Sequence, residues 1–265
     1  MASIGRLDDK VALVTGASSG IGAGTAILFS QLGARVIITG RNKENLKKTA
    51  EQCSQDSKYK PVLLIGDLSK EEDTQRIVDE AIAGAGRLDI LVNNAGILES
   101  GSIETTSLEQ FDRIFNINVR SIYHLTMLCV PHLVKTKGNI VNVSSVTGLR
   151  AFSGVLSYCM SKSAIDQMTR CVALELAPKQ VRVNCVNPGV IVTEVHRRGG
   201  MSEEKYAQFL EHCKTTHALG RAGEVSEVAK LIAFLASDSA SFMTGNTVAV
   251  DGGRHVMCPD KWPGN

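Results

Sequence analysis

In the stretch "SYCMSK", Ser157 to Lys162, a tyrosine and a lysine stand four residues apart in a chain with only four tyrosines. On a helix, positions i and i+4 share a face. A phenol and an ammonium there become neighbours. The bland alternative is a surface ring packed on a lysine stem. The chemical alternative is a phenol whose proton is easier to lose. Free tyrosine, with a pKa of about 10, is a poor acid–base catalyst near neutrality. A nearby positive charge favours the phenolate.

A second constellation lies near the N-terminus. "VALVTGASSGIGAGTA" reads as strand, glycine-rich turn, helix, with Gly16, Gly20 and Gly22 in the spacing GxxxGxG. Glycines let a backbone approach a pyrophosphate closely, and a helix N-terminus offers free N–H groups and a positive dipole end. The spacing is not GxGxxG, so the turn is longer than in the common dinucleotide fingerprint. The next strand ends in "IITGRN". An NAD site commonly places a carboxylate there to hold the ribose 2′-hydroxyl. Here Gly40 and Arg41 stand in its place. Arg41, helped by Asn42, could instead meet a 2′-phosphate through charged hydrogen bonds, or be an exposed loop arginine.

The elements that must position these groups follow a steady rhythm. Seven short apolar runs recur at "KVALVTG", "RVIITG", "PVLLIGD", "LDILVNNAG", "GNIVNVSS", "VRVNCVNPG" and "NTVAVDGG". Each reads as a strand buried on both faces. Helical patterns lie between them, including 107–134 as one long helix, one that starts from Ser69 as N-cap, one over 157–177 that stops before Pro178, and one following Glu224. Strands alternating with helices argue an α/β fold: a doubly wound parallel sheet of about seven strands with helices on both faces. The rhythm never breaks, so a single domain over 1–265 is expected. A substrate loop containing a helix is expected at about 190–220.

Composition narrows the classes. The chain has 265 residues, 43 % hydrophobic and 21 % charged, with a formal charge of only +2. That gives no case for nucleic acid or an anionic membrane. No apolar run is long enough for a membrane span. The N-terminus resembles neither a signal nor a transit peptide, and the terminal "KWPGN" is no lipidation or peroxisomal signal. Seven cysteines, an odd number without a CxxC pair, suggest neither a disulfide framework nor a zinc site. A cytoplasmic, reducing location and no metal are expected.

Taken in order, "TGASSGIG", "NNAG", "NV", "VSS", "YxxxK" and "NPG" make the chain resemble the classical short-chain dehydrogenase/reductase family over nearly its whole length. Within it, the chain resembles the 3-oxoacyl carrier-protein reductases and the carbonyl or hydroxysteroid reductases. The resemblance implies a Rossmann-type NAD(P)-binding fold and hydride transfer between cofactor and a carbonyl or secondary alcohol. It implies catalytic roles for Ser145, which precedes Tyr158 by 13 residues, for Tyr158 and Lys162, and for Asn118 as the holder of a water in a proton relay. Ser144 and Asn116 are the decoys. It places Gly16, Ser18, Ser19, Gly20, Ile21, Gly22, Arg41, Asn42, Asp67, Leu68, Asn94, Ala95, Gly96, Tyr158, Lys162, Pro188, Gly189, Val192 and Thr193 along the cofactor. Asn94 and Asn118 could instead brace strand ends, and Thr193 could be a cap. Ser18 and Ser19 stand where many NADP-using relatives carry a basic residue. NADP(H) is still favoured, with NAD(H) possible.

On this reading Ser145 donates to the carbonyl oxygen, Tyr158 moves the proton, and Lys162 tunes it while holding the nicotinamide ribose. Cys159 and Met160 depart from the small residues usual between Tyr and Lys and should face away from the cofactor. Arg120, where a small residue is common, should be structural or interfacial. A hydrophobic ketone such as a 3-oxoacyl, steroid, terpenoid or retinoid fits the apolar candidates Val195, Met201, Tyr206, Phe209 and Leu210, with Leu98, Phe152 and Val155 opposite. Arg197 and Arg198 read as a solvated loop or as a hint of an acidic group. The alternative function is a non-catalytic nicotinamide-nucleotide sensor. A sugar-nucleotide epimerase or dehydratase is disfavoured by the 107 residues (265 minus 158) after Tyr158. A homotetramer is expected, built on helices 105–135 and 158–177 and on the last strand with helix 224–236, whose stripe Val225, Val228, Leu231, Ile232 and Leu235 looks wide for a monomer.

Overall fold

Side chains alternate along each central strand, and both sets are apolar, which requires cover on both faces of the sheet. The computed structural model describes residues 5–55 and 57–257, without the side chain of His196. Cys258 and the terminal segment 261–265 therefore lie outside the described residues. In chain order the elements are β1 (Val11–Thr15), α1 (Gly20–Gln31), β2 (Arg35–Gly40), α2 (Lys43–Ser54), β3 (Val62–Ile65), α3 (Glu71–Ala85), β4 (Ile90–Asn93), α4 (Leu108–Phe115), α5 (Ser121–Thr136), β5 (Asn139–Val143), α6 (Val146–Leu149), α7 (Leu156–Leu176), β6 (Arg182–Pro188), α8 (Val195–Arg198), α9 (Glu203–Thr216), α10 (Val225–Ala236) and β7 (Thr247–Val250). The seven strands form one parallel sheet in the order β3-β2-β1-β4-β5-β6-β7. Val14 is partnered by Ile38 on one side and Val92 on the other.

The two cores follow that alternation. Ala12, Val14, Val36, Ile38, Val92 and Val141 face α1, α2 and α10. Val11, Leu13, Ile37, Leu91 and Ile140 face α3, α5 and α7. The apolar stripe of α10 is absorbed here: Val228, Ile232 and Leu235 are fully buried against α1 and the sheet. It therefore gives no reason to expect a partner.

Several local expectations are corrected. Ser69 does not cap α3; its N–H and hydroxyl both donate to Asp67, and Lys70 is the N-cap residue. The long helix over 107–134 divides into α4 and α5 around a π-helical turn, Asn116–Arg120. The strand β3 is not buried on both faces, since Val62 and Ile65 are exposed at the sheet edge. The helix α2, absent from the sequence reading, is capped by Asn42, whose side chain accepts from Asn45 N–H at 2.9 Å. The helix over 157–177 does end before Pro178, and Glu224 with Glu227 forms a capping box that starts α10.

Candidate active site

Ligands of open α/β sheets settle outside the carboxyl ends of the strands, where the strand order reverses. Here the order reverses between β1 and β4. Six of the segments singled out from the sequence leave the carboxyl end of a strand: Gly16 after β1, Arg41 after β2, Asp67 after β3, Asn94 after β4, Ser145 after β5 and Gly189 after β6.

The glycine turn is shaped by close approach. Gly16 (φ +62°) leaves no room for a side chain: a Cβ there would come 2.8 Å from Asn94 Nδ2 and 2.9 Å from Ala95 Cα. At Gly22 a Cβ would meet Asn94 Nδ2 and Gly16 O at 2.4 Å. Asn94 braces this turn as the sequence allowed, donating from Nδ2 to Thr15 O at 2.9 Å. Thr15 completes the joint; its hydroxyl accepts from Asn94 N–H and Ala95 N–H. The sequence reading passed over Thr15, although a buried threonine ending an apolar strand was the available signal. Ser19 is the extended N-cap residue of α1, and Ile21 packs on the core behind it. Gly20 faces Thr193, whose Cγ2 would lie 3.3 Å from a Cβ there. Thr193 also turns its own segment, donating to Ile191 O at 3.3 Å. A narrow backbone cradle ending in the free N–H groups of α1 fits a pyrophosphate.

At the β2 end, Gly40 faces Ser18; a Cβ on Gly40 would sit 3.4 Å from Ser18 Oγ. Arg41 is largely exposed, and its guanidinium lies 4.0 Å from Asp67. No other carboxylate pairs with Arg41 among the described residues. Leu68 packs against the second core, and its carbonyl accepts from the Thr74 hydroxyl.

The reactive side chains gather between β5, α7 and the π-helical turn. Ser145 caps α6, its hydroxyl accepting from Thr147 N–H at 3.1 Å. Ser144 points the other way and donates to Lys162 O at 3.0 Å, which separates it from Ser145. Lys162 is 4 % exposed. Its Nζ donates to Val143 O at 2.9 Å and lies 5.6 Å from the centroid of the Tyr158 ring. A Cβ on Gly96 would lie 3.6 Å from that Nζ and 3.2 Å from Asn118 Oδ1, so Gly96 keeps this corner open.

Asn118 is fully buried in the π-helical turn, a feature common at functional sites. It accepts from Ile97 N–H and donates to Ile97 O, both at 2.8 Å, and donates to Ser161 Oγ at 3.1 Å. Both amide protons are thus committed, and its side chain clamps the loop after β4 to α7. Ser161 was not singled out from the sequence. Beneath the site, Asn187 Nδ2 donates to Ser145 O and to the buried Asp166.

Burial pushes the Tyr158 phenol up to about 12, against a lowering contribution from the Ser145 hydroxyl. Burial also brings the Lys162 ammonium down to about 8, with Cys185 and Asp166 opposing. The phenol is thus raised where a lowering was expected, because desolvation disfavours both charged forms.

At the β6 end, Gly189 N–H donates to Val250 O, and a Cβ on Gly189 would strike Asp251 Cα at 2.9 Å. Pro188 ends the strand. His217, buried and missed by the sequence reading, accepts the Val190 N–H at Nε2, 3.2 Å away. Val192 N–H donates to Gly223 O. Tyr206, expected as a lining residue, is buried and donates to Thr193 O at 3.1 Å. Arg197 stacks on Tyr206 and pairs with Glu194 and Glu203. Arg120 pairs with Glu71. Cys159 donates weakly to Phe152 O, and Met160 is exposed.

A family model described as enoyl-(acyl carrier protein) reductase matches residues 16–255. The chain belongs to the short-chain dehydrogenase/reductase family. It is 38 % identical to a 3-oxoacyl-(acyl-carrier-protein) reductase of Thermotoga maritima, over 94 % of this chain and 98 % of that one. It is 40 % identical to a cyclopentanol dehydrogenase of Comamonas testosteroni, again over 94 % and 98 %. A crystal structure of a short-chain dehydrogenase/reductase of unknown function from Caenorhabditis elegans, solved with cofactor, superposes with a TM-score of 0.90 at 34 % identity, covering 96 % of this chain and 97 % of that one. The short-chain dehydrogenase/reductase is therefore an oxidoreductase acting on carbonyl or alcohol substrates, and its fold implies a nicotinamide dinucleotide.

Proposed function

We propose that this short-chain dehydrogenase/reductase transfers a hydride between NADP(H) and a hydrophobic ketone or its secondary alcohol. The observation that carries the reading is the buried Lys162 with its Nζ 5.6 Å from the centre of the Tyr158 ring, beside the glycine cradle on a sheet whose strand order reverses there. The cofactor, when bound, supplies or accepts the hydride. The glycine turn from Gly16 to Gly22 would hold its pyrophosphate, Asp67 and Leu68 would flank the adenine, and Asn94 to Gly96 with Pro188, Gly189, Val192 and Thr193 would line its length. Ser145 would donate to the carbonyl oxygen, and Tyr158 would deliver the proton as negative charge develops there. Lys162 would stabilise the resulting phenolate and hold the ribose. Asn118 would keep the Gly96 corner and α7 in register.

The preference for NADP(H) rests on Gly40, which brings no carboxylate, and on the exposed Arg41 beside it. Asn42 would assist through its amide N–H₂, its oxygen being committed to the cap. We further propose one domain, with 190–220 as the substrate loop, a cytoplasmic setting in keeping with six free cysteines among the described residues, and a homotetramer. Tyr123 and Met127 on α5, with Met160 and Leu174 on α7, leave exposed apolar side chains for that assembly. The functional reading is tested by a panel of ketones and alcohols followed through cofactor absorbance. Turnover of apolar ketones with NADPH is expected; turnover confined to sugars would reject the substrate class.

A further inference from the structure

The last described turn of the chain carries a cation with no role so far. Arg254 follows β7, and the Nε and Nη1 of its guanidinium are buried with no hydrogen-bond partner among the described residues. The guanidinium stacks on the Phe152 ring, 4.8 Å from the centroid. Leaving buried donors unmatched is costly, and more so on a charged group. The nearby carboxylate does not relieve it. Asp251 accepts from Gly253 N–H at one oxygen, and from His255 N–H and His255 Nδ1 at the other. A second cation stands close by: Arg150 donates to Arg254 O and Met257 O at 3.1 and 2.6 Å.

The surroundings set Arg254 against the segment that leads from Ser145 to Tyr158. Phe152 belongs to the connection between Ser145 and Tyr158, and its carbonyl receives the Cys159 thiol. The turn carrying Arg254 docks on the segment after α9, where Leu219 N–H donates to Gly252 O. Asp251 presses on Gly189 at the end of β6. The walls around Arg254 thus include the 146–155 connection that runs from Ser145 to Tyr158, through Phe152 and Arg150.

We infer that Arg254 is a specificity-determining residue that receives an anionic group, a carboxylate, at the far end of the ketone substrate. This rests on the carbonyl-reductase reading above and narrows it to oxo acids and hydroxy acids with an apolar middle. A carboxylate is acceptor-only and matches a guanidinium with unmet donors. Phe152, beneath the guanidinium, would exclude water from the pair and strengthen it.

The test compares oxo acids of increasing chain length with their methyl esters, using wild type, Arg254→Met, Arg254→Gln and Arg254→Lys. In the neutral variants, kcat/KM for the best acid should fall by about ten- to a hundredfold, through KM, as expected for one charged hydrogen bond. The ester should be unaffected, and Arg254→Lys should recover part of the loss. Equal use of acid and ester by wild type, or a parallel loss of both in the variants, would make Arg254 a structural anchor and overturn the inference. Should wild type turn over neither compound, calorimetric titration of the acids separates the two ideas. Binding that depends on Arg254 keeps the anion site and rejects the carbonyl reading; binding that ignores Arg254 rejects the site.

Discussion

The Lys162 ammonium lies 5.6 Å from the centre of the Tyr158 ring and donates to the Val143 carbonyl of β5. It is anchored to the sheet beside the ring. Burial has raised the phenol to about 12 and lowered the ammonium to about 8. At neutral pH the pair is therefore a protonated acid beside a cation, the form that reduces a ketone. The kcat/KM for reduction should hold up to about pH 8 and fall above it, as Lys162 loses its proton. Alcohol oxidation needs the phenol to give up its proton and should rise with pH over the same range. Profiles in both directions from pH 6 to 10 check this; a reduction profile still flat at pH 10 contradicts it.

Gly40 and Arg41 set the second prediction. Gly40 does not need glycine's positive φ, and a Cβ there meets Ser18 Oγ only at 3.4 Å. A side chain can be added without rebuilding the turn. Gly40→Asp with Arg41→Ala brings a carboxylate to the ribose and removes the cation. The ratio of kcat/KM for NADPH over NADH should fall by at least the roughly ten- to hundredfold that one charged hydrogen bond supports. Wild type preferring NADH would make Arg41 a plain loop residue.

His217 links pH to stability. Burial first, and then the Arg254 charge, lower its pKa below 6.5. The native ring is neutral, with Nε2 accepting from Val190 N–H. Between its native pKa and 6.5 the unfolded chain binds more protons, so stability rises with pH. The contribution is present above 6.5 and is lost as pH falls through the native pKa. Thermal unfolding midpoints from pH 8 to 5 should drop on the acid side, and His217→Gln should flatten that drop. An identical slope in the variant would remove His217 from the account.

The tetramer is expected to show as a mass near four chains in light scattering at micromolar concentration. Met127→Lys, placed on the exposed face of α5, should shift it toward smaller species. A monomer mass for wild type ends the proposal.

What the sequence disclosed depended on the kind of constraint. The interior strands were legible because burial on both faces leaves continuous apolar runs, and the glycine turn because Gly16 and Gly22 tolerate no side chain. The edge character of β3 was hidden, since Val62 and Ile65 are as apolar as interior residues. The split between α4 and α5 was equally hidden, because a π-helical turn needs no breaking residue. Tyr158 and Lys162 announced themselves by spacing. Thr15, Ser161 and His217 did not, because each acts on a neighbour remote in sequence or carries no motif of its own. The α10 stripe misled: apolar width alone does not say whether the surface is covered by the chain itself or by another.

The central claim is that the Tyr158 hydroxyl carries the proton while the cofactor is held by other groups. The most direct measurement is single-turnover reduction by Tyr158→Phe, beside a titration of its NADPH affinity. The account predicts an affinity close to wild type and a rate lower by at least the 10² to 10⁴ typical of general acid–base catalysis. A rate within about tenfold of wild type, below that range, would contradict it.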